Sequence, residues 1–502
     1  MNKLDIIQFG DFQTPKELAL LMCNIVRKYQ FNPKTIVEPT CGAGNILITA
    51  QSAFPEADNF YGIEINPEYL NALKENMDME NVHLFNQNIF SFDWNSIEDT
   101  MPDPVLFIGN PPWVTNSGLG MIDRNNTPEK TNFKGLRGIE AITGKSNFDI
   151  AEYIIINLVE RFIARQAVFS FLCKTSVARS IFQYISIKKL PVRFCEMYRI
   201  DSKKYFNVDV DACLFNIIVS ETAEDDLKCS VYKSLESNEI VSVLGFSKNM
   251  LINNLTLFER YSGLIGKSHY IWRNGIKHDN SKVMELEQIN GSYVNGNNET
   301  LDIEPELIYP LLKSSDISKP DYFIRKFVIV TQKAVGQDTA CILSHSPKTW
   351  RYLNENRETF LSRKSSIYKN KPDFSIFSVG AYTFAPWKIA ISGLYKKIKF
   401  SIIGSLGDKP ILVDDTCNFI PCNTEEEAIF IVDLLESEPV ITLLNSLIFW
   451  DSKRPITTGI LNSIDLEKVA VFLDKEDLFI FYLHHNNYVK EVNNQPMLEF
   501  NY

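Results

Sequence analysis

The sequence predicts an α/β protein in which a doubly wound, mainly parallel sheet of the Rossmann-like kind is followed by a C-terminal domain of mixed α+β structure. From about residue 35 to about residue 220, short β-branched or aromatic runs alternate with segments that carry apolar residues at helical spacing. Strands that alternate with helices form a parallel sheet covered on both faces. After about residue 235 this alternation stops, and a chain of 502 residues is longer than one ordinary domain. We therefore expect one domain over 1–235 and a second over 236–502.

The first domain contains seven strand-like runs and three clear helical patterns. The strand-like runs, in chain order, are TIVEP, FYGIEI, VHLFN, PVLFIGN, AVFSFLC, RFCEMYRI and ACLFNIIVS. The helical patterns are PKELALLMCNIVRKY, PEYLNALKEN and DIAEYIIINLVERFIA. In sheets of this kind ligands bind beyond the carboxyl ends of the strands, so residues that follow these runs are the first candidates for a site.

The second domain is richer in Pro, Asn, Ser and Tyr. It contains the strand candidates KFVIVT, WKIAISG and KFSIIG without helices between them, and helical patterns return at EEEAIFIVDLLES and PVITLLNSLIF. This mixture predicts a separate α+β unit, with no internal repeat.

Composition indicates a folded protein that stays in the cytoplasm. Hydrophobic residues make up 45% of the chain and charged residues 23%, with a mean hydropathy of −0.11. The start, MNKLDIIQFGDFQTP, has no apolar core of a secretory signal, and no uncharged apolar stretch reaches the roughly 18 residues of a membrane span. The nine cysteines form no CxxC pair and the six histidines make no ligand pattern with them, so we expect reduced thiols and no metal site.

The net charge of −11 argues mildly against a nucleic-acid partner, but such binding depends on local basic surface rather than on the sum. Two segments carry such charge: Arg363 to Lys371, and Lys396 to Lys399. Each could supply basic surface for a nucleic acid, and each is equally typical of a solvated loop. Charge alone does not decide between these two interpretations.

A glycine-containing turn follows the first predicted strand. Thr40-Cys41-Gly42-Ala43-Gly44-Asn45 leads into a helix start, where glycines allow close approach to a ligand and free N–H groups are available. Glu64 follows 20 residues after Gly44, at the end of FYGIEI, where a carboxylate can accept both hydroxyl protons of a ribose. Leu47 replaces the third glycine of a dinucleotide fingerprint. The pattern favours a nucleoside cofactor, and an ordinary strand-to-helix turn is the alternative.

The sequence Asn110-Pro111-Pro112-Trp113 directly follows the strand PVLFIG. Two prolines stiffen the turn and remove two backbone donors. The Asn110 amide oxygen and the Pro111 carbonyl can then accept both hydrogens of a planar NH₂ group, which frees the nitrogen lone pair to attack a methyl sulfonium. Trp113 offers a flat surface for a base. An ordinary proline turn is the alternative.

With these residues in this order, the chain resembles the DNA amino-methyltransferases of the gamma order, mainly adenine-N6 enzymes of bacterial restriction-modification systems. The resemblance covers nearly the whole chain and implies a class I methyltransferase domain with a C-terminal target recognition domain. It also implies S-adenosylmethionine as cofactor and duplex DNA as partner, and that the target adenine is flipped out of the stack. We further expect a monomer, with a separate cognate restriction endonuclease as a second candidate partner.

The resemblance assigns roles to single residues. Thr14, in Phe12-Gln13-Thr14-Pro15, matches the family's first cofactor motif. The cofactor-binding set that it implies comprises Thr14, Glu38, Thr40, Cys41, Gly42, Gly44, Asn45, Glu64, Ile65, Asn88 and Asn110. The catalytic set comprises Asn110, Pro111, Pro112, Trp113 and Phe206. Phe206 matches the aromatic residue that stacks on the flipped base opposite the ring of Trp113, and Ser146-Asn147-Phe148-Asp149 matches a segment that lines the pocket.

One position departs from the family pattern. Asn88 stands where an acidic residue usually accepts from the amino group of the cofactor's adenine. Its amide oxygen can still accept a hydrogen bond, and Asp93 is the alternative.

Weaker features bear on DNA. The stretch 114–146 holds five glycines with Arg and Lys residues, so it is either a loop that closes over phosphates or a solvated insertion. Trp272 to Lys277, Pro310 to Ile317 and Leu444 to Ser446 resemble segments of the family's recognition domain.

The same Asn-Pro-Pro turn can also serve enzymes that methylate another amino or amide nitrogen. Cytosine N4 in DNA, adenine in RNA and a protein glutamine are the alternatives among enzymes, and a DNA-binding module with an inactive methyltransferase fold is the alternative without catalysis.

Overall fold

A computed structural model describes residues 12–114, 149–319 and 322–491. The chain divides into two compact units, Met1–Leu255 and Thr256–Tyr502. The sequence placed this division about 20 residues earlier, at 235/236. The difference arises because the strands Ile240–Ser247 and Met250–Ile252 continue the sheet of the first unit.

The part of the first unit that the structure describes is built on one sheet of ten strands. Their bounds are β1 Thr35–Glu38, β2 Asn59–Glu64, β3 Val82–Asn86, β4 Val105–Gly109, β5 Ala167–Lys174, β6 Val192–Ile200, β7 Ala212–Val219, β8 Cys229–Tyr232, β9 Ile240–Ser247 and β10 Met250–Ile252. The strand order is β10-β9-β8-β6-β7-β5-β4-β1-β2-β3. From β3 to β5 all neighbours are parallel, whereas β7 runs antiparallel to both β5 and β6.

Seven helices accompany this sheet within the described residues. Their bounds are α1 Lys16–Lys28, α2 Asn45–Ala53, α3 Pro67–Asn76, α4 Asn95–Glu98, α5 Ile150–Phe162, α6 Thr175–Lys188 and α7 Ser202–Phe206. The central strands are buried along their whole length, as in the VLFIG sequence of β4, because helices cover both faces of a doubly wound sheet. The predicted α/β class with a mainly parallel central sheet is therefore confirmed, and all seven predicted strands are present.

Over 256–319 and 322–491, the second unit contains three smaller sheets. One has the order β14-β13-β12-β16-β15-β21, one has the order β11-β22-β17-β18, and β19 pairs with β20. The bounds are β11 Arg273–Asn274, β12 Glu285–Ile289, β13 Ser292–Asn295, β14 Thr300–Leu301, β15 Ile308–Leu312, β16 Lys326–Ile329, β17 Trp387–Ser392, β18 Phe400–Ile403, β19 Ser405–Leu406, β20 Lys409–Pro410, β21 Leu412–Val413 and β22 Cys417–Cys422. The predicted strands KFVIVT, WKIAISG and KFSIIG correspond to β16, β17 and β18.

Helices of the second unit are short except near its end. Their bounds are α8 Leu255–Tyr261, α9 Ser281–Met284, α10 Ser314–Ile317, α11 Ile342–His345, α12 Pro347–Glu355, α13 Arg357–Leu361, α14 Glu425–Leu435, α15 Glu438–Leu447, α16 Thr458–Asn462, α17 Leu466–Phe472, α18 Glu476–His485 and α19 Asn487–Glu491. The two predicted C-terminal helices are α14 and α15, and the expected α+β mixture is confirmed.

Within the described ranges, no helix combines the length and the apolar character that crossing a membrane requires. The same residues contain no group of three or more His, Cys, Asp or Glu arranged to hold a metal ion. All nine cysteines are free thiols, and Cys341 alone among them is exposed.

Candidate active site

A cavity of about 300 Å³ lies in the first unit. Glu38 ends β1, Glu64 ends β2, and Asn110 directly follows β4, so all three stand at the carboxyl edge of the parallel part of the sheet. The residues that line the cavity are Phe12, Gln13, Thr14, Glu38, Pro39, Thr40, Cys41, Gly42, Asn45, Ile46, Ile63, Glu64, Ile65, Asn66, Tyr69, Gln87, Asn88, Ile89, Phe90, Asn110, Pro112, Ile150 and Ile154. The structure thus brings most of the predicted cofactor-binding residues around one space.

The glycine turn is shaped by positive φ angles and by close packing. Gly42 has φ 49° and Gly44 has φ 81°. The Gly44 N–H donates to the Cys41 carbonyl over 2.8 Å, and a Cβ at position 44 would lie 2.1 Å from Cδ1 of Leu73. Only glycine fits such a position. Gly44 itself does not line the cavity, and its role is to let the turn pack on α3.

Gly62, in the middle of β2, provides a second close approach. A Cβ there would lie 2.8 Å from Cδ2 of Leu84 and 3.1 Å from the Cys41 sulfur. Because Gly62 has no side chain, Cys41 of the glycine turn can pack directly against β2 beneath the cavity.

Glu64, at the end of β2, holds the glycine turn by a hydrogen bond. One carboxylate oxygen accepts from the Gly42 N–H over 2.9 Å, and the other accepts from the Asn66 N–H over 2.9 Å. Each carboxylate oxygen can accept more than one hydrogen bond. Glu64 therefore holds the turn in place and also presents a carboxylate to the cavity.

Glu38 is a buried acid beside the same cavity. Its side chain is 2% exposed and accepts from the Leu47 N–H over 3.0 Å. Burial, with a smaller contribution from Glu64, holds the pKa of Glu38 well above its ordinary value, although the bond from Leu47 lowers it. A cation bound nearby would stabilise the ionised form of this carboxyl group.

The segment before α1 closes one side of the cavity. The Asn45 side-chain amide donates to the Thr14 carbonyl over 2.9 Å, and the Ala43 N–H donates to Oε1 of Gln13 over 3.0 Å. Thr14 is buried. The Gly-rich turn and residues 13–14 are thus held together by hydrogen bonds, although about 30 residues separate them along the chain.

Asn110 has a fixed orientation and an unused acceptor. Its Nδ2 donates to the main-chain oxygen of Phe12 over 2.9 Å. Its Oδ1 is buried and has no hydrogen-bond partner among the described residues. A buried polar atom without a partner costs free energy, and such atoms in native proteins often mark a place that a ligand completes. The Asn110 side chain can therefore accept a hydrogen bond from a group that enters the cavity.

Three aromatic rings meet beside this turn. The ring centroids of Trp113 and Phe206 are 5.2 Å apart with an interplanar angle of 73°, and the Phe12 ring lies 5.7 Å from Trp113 and 5.8 Å from Phe206. The Trp113 indole N–H points to the Leu172 carbonyl at 3.4 Å. Two rings that hold a base between their faces must be about 7 Å apart, twice the carbon contact distance. Trp113 and Phe206 therefore do not form the predicted facing pair in this arrangement, because they pack edge to face.

Asn88 and Asp93 take different positions. Asn88 lines the cavity, and its side-chain oxygen accepts from the Phe90 N–H over 3.0 Å at the start of the 3₁₀ turn Ile89–Ser91. Asp93 is not a lining residue, and its carboxylate accepts from the Asn95 N–H over 3.1 Å at the start of α4. The geometry favours Asn88 of the two alternatives.

Some predicted residues have other positions. Pro111, Trp113 and Phe206 do not line the cavity itself. Ser146 to Phe148 and nearly all of the stretch 114–146 lie outside the described residues. Asp149 caps α5 by accepting from the Ala151 N–H, and it pairs with Lys174 over 2.6 Å.

Sequence reasoning missed several lining residues. Phe12 was quoted only as part of a motif, and Tyr69, Phe90, Ile150 and Ile154 were not named as site residues. Their signal was weak because single apolar residues at the starts of helices are usually part of a core. The resemblance of Ser146 to Asp149 to a pocket-lining segment was the one signal that Ile150 and Ile154, which follow it, would line the cavity.

The comparisons with known proteins agree with this geometry. Residues 6–161 match the family described as N-6 DNA Methylase. Over 469 residues the chain is 44% identical to "Type II methyltransferase M.NspV" of Nostoc sp. (strain ATCC 29411 / PCC 7524), and the match covers 92% of this chain and 97% of that protein. The chain belongs to the type II DNA methyltransferases. The expected restriction-modification type is thereby confirmed.

Two solved structures resemble this methyltransferase more distantly. The type IIL restriction-modification enzyme MmeI in complex with DNA is 13% identical, with a TM-score of 0.49 over 98% of this chain and 77% of that one. The methyltransferase subunit of a type I restriction-modification system from Streptococcus thermophilus is 18% identical, with a TM-score of 0.33 over 50% and 52%.

The cofactor of this methyltransferase is S-adenosylmethionine, as the sequence predicted. The cavity suits such a group on its own chemistry. It offers the Glu64 carboxylate, the side-chain-free backbone of Gly42, and the buried Thr40 hydroxyl, which has no hydrogen-bond partner in the described ranges.

Proposed function

We propose that this methyltransferase modifies the N6 amino group of an adenine that is flipped out of duplex DNA, at a specific sequence. The observation that carries the proposal is the buried, partnerless oxygen of Asn110 at the edge of the cofactor cavity. An amino group brought to this oxygen would satisfy it.

The chain would activate the amine through two acceptors. Asn110 Oδ1 and the Pro111 carbonyl accept its two hydrogens, which draws the nitrogen toward tetrahedral geometry and exposes its lone pair. Because the Asn110 amide is already held by Phe12, it needs no reorientation when the substrate arrives. Preorganised polar groups of this kind supply most of the rate in many enzymes.

The cofactor would be held by residues of the same cavity. It supplies an electrophilic methyl group on a sulfonium. The Glu64 carboxylate accepts from ribose hydroxyls, the Asn88 amide faces the adenine amino group, and Ile65 covers the adenine ring. Glu38 lies within the same wall, where its carboxylate form favours a cationic ligand.

A flipped base must displace part of the aromatic cluster of Phe12, Trp113 and Phe206. The N6 atom cannot be reached inside the duplex, so extrusion of the base is required. In the structure the three rings pack against one another and leave no room for a base between them. A flipped base would therefore replace ring–ring contacts with base–ring contacts. We propose that Phe206, which is only partly buried, makes the larger movement.

The second unit, from Thr256 onward, would recognise the DNA target. The proposed cofactor-binding and catalytic residues all lie before Leu255, whereas the second unit makes up about half of the chain. Short strands joined by irregular loops suit contacts to base edges and phosphates. We also propose that the enzyme acts as a monomer and that its cognate restriction endonuclease is a separate protein.

The test combines one substitution with identification of the product. Asn110→Ala should lower methyl transfer by roughly 10²-fold or more, comparable to the loss of one preorganised contact to a transition state, while cofactor affinity stays within about twofold. The control is Asn157→Ala on the exposed face of α5, which should behave as the parent enzyme. Methylation-aware sequencing of DNA from cells that express the chain identifies the base. Methyl groups on cytosine N4, or parental turnover in Asn110→Ala, would overturn the proposal.

A further inference from the structure

Several charged side chains of the second unit meet at one turn, around Asp415. The Arg454 guanidinium donates to the Asp415 carbonyl over 2.9 Å, and Lys277 lies 3.7 Å from the Asp415 carboxylate. Lys277 also lies 3.5 Å from Asp279. The turn thus joins the chain near 277, near 415 and near 454.

Two lysine-rich segments are attached to the same place. The Arg363 guanidinium donates to the His278 carbonyl over 3.2 Å and to the Ser375 carbonyl over 2.7 Å, which fixes the start of segment 363–371 beside Lys277. The Gly393 N–H donates to the Thr416 carbonyl over 2.9 Å, which fixes segment 393–400 beside Asp415. Segments that the sequence showed as separate basic loops are therefore parts of one region.

Arg363 and Arg454 are engaged in holding this region together. The side chains of Lys277 and Lys399 are engaged as well, whereas the exposed lysines are not. Six exposed lysines have side chains that make no hydrogen bond or ion pair to another described residue: Lys364, Lys369, Lys371, Lys396, Lys397 and Lys453. Segments 363–371 and 393–400 contain no acidic residue at all. We call these six residues the lysine surface. It stands out on a chain whose net charge is −11.

An exposed aromatic ring adjoins the lysine surface. Tyr395 is 46% exposed and directly precedes Lys396 and Lys397. Its position is defined because the N–H groups of Leu394 and Tyr395 both donate to the Ser392 hydroxyl, over 3.2 and 3.1 Å.

We propose that the lysine surface binds the phosphate backbone of the DNA duplex. The ammonium groups of these lysines have no carboxylate partner among the described residues, and the two segments that hold five of them contain no acidic residue, so their charge is available to a polyanion. Flexible ammonium groups bind phosphates as point charges and carry no sequence information by themselves, so the surface supplies affinity and register rather than base choice. This inference rests on the proposed role of the second unit in binding DNA.

The experiment measures DNA affinity against salt concentration for full-length Lys396→Gln/Lys397→Gln. Each lost phosphate contact lowers the slope of log K against log salt by about 0.9, so the double variant should lose about 2 from the slope. The loss should be equal for cognate and unrelated duplexes. Lys396→Arg/Lys397→Arg should keep the parental slope, and Lys267→Gln/Lys475→Gln, which removes the same charge elsewhere, should keep it too.

The outcomes separate this inference from the proposed function. An unchanged slope in the Gln variant, with methyl groups still placed on adenine N6, would overturn the lysine surface alone. A reduced slope in an enzyme that methylates another base would support the surface and remove the adenine assignment. A loss confined to the cognate duplex would also overturn the inference, because it would indicate base reading.

Discussion

The side-chain nitrogen of Asn110 donates to the main-chain oxygen of Phe12 over 2.9 Å, across 98 positions of sequence. This bond assigns the two ends of the amide: the nitrogen faces Phe12, and the oxygen has no partner among the described residues. The segment before α1 therefore belongs to the candidate catalytic site as well as to the cofactor pocket.

Glu64→Gln should weaken S-adenosylmethionine binding first and turnover only as a consequence. Charge-assisted hydrogen bonds contribute roughly 1.5–3 kcal/mol each, so losing one raises Kd by about tenfold to a hundredfold. Calorimetric titration measures this. Glu68→Gln, an exposed acid in the first turn of α3, is the control and should leave Kd unchanged. Parental affinity in Glu64→Gln would mean that the cofactor lies elsewhere.

Phe206→Ala should impair capture of the flipped base, because base–aromatic stacking is worth about 1–3 kcal/mol. Trp113→Phe should be milder, since a ring remains in contact with Phe12. A 2-aminopurine at the target position reports both effects, as its fluorescence rises on unstacking and falls on contact with a ring. Phe481→Ala removes a ring of the second unit that is 53% exposed and serves as the control. If Phe206→Ala leaves fluorescence and rate at parental values, the cluster is only part of the core.

Lys388→Met should stabilise the protein, most strongly at lower pH. Burial lowers the pKa of Lys388 to about 7, although its Nζ donates to the Ala385 carbonyl over 2.6 Å. Between about pH 7 and pH 10 the unfolded chain holds a proton that the folded chain has released, so stability rises with pH across this window. Below pH 7 the parent must bury a charge, and there the gain should be largest, on the order of 5 kcal/mol.

Urea unfolding at pH 6.5, 8 and 9.5 (roughly spanning that window) tests the Lys388 prediction. The difference between Lys388→Met and the parent should shrink as the pH rises. Lys267→Met, at an exposed position, should show no such trend. A difference that grows with pH would contradict the assigned cause.

A fragment ending at Leu255 should bind S-adenosylmethionine and lose sequence-selective methylation. A fragment ending at residue 235 should aggregate, because β8 would lose its partner β9 and present an open strand edge. Circular dichroism, light scattering and calorimetry on both fragments test this pair of statements. If the longer fragment methylated the same DNA motif as the full chain, recognition would lie in the first unit.

The fold of the first unit could be predicted because the central strands of its sheet, such as β1, β4 and β5, are buried on both faces. Runs such as VLFIG and AVFSFLC are apolar at every position except Ser170 for that reason, and the intervening helices carry their own spacing signal. The strands β9 and β10 were missed as part of this sheet because they lie at its edge, where exposed and buried residues mix. Hence the predicted boundary fell before them.

The candidate site was predictable where it depends on backbone chemistry. The glycine turn, Glu64 and the Asn110 turn each follow a strand, and parallel strands bring their carboxyl ends together. The edge-to-face contact of Trp113 with Phe206 and the bond from Asn110 to Phe12 depend on side-chain packing between distant segments. No local pattern encodes such packing.

The absence of a side chain at Gly62 also constrains how relatives of this enzyme can diverge. Leu84 and Cys41 occupy the room that a Cβ would take, at 2.8 and 3.1 Å. A homologue with alanine or serine at this position should therefore carry a smaller residue at the position of Leu84 or Cys41. Residues 41, 62 and 84 should covary in an alignment, as a group that changes together or not at all.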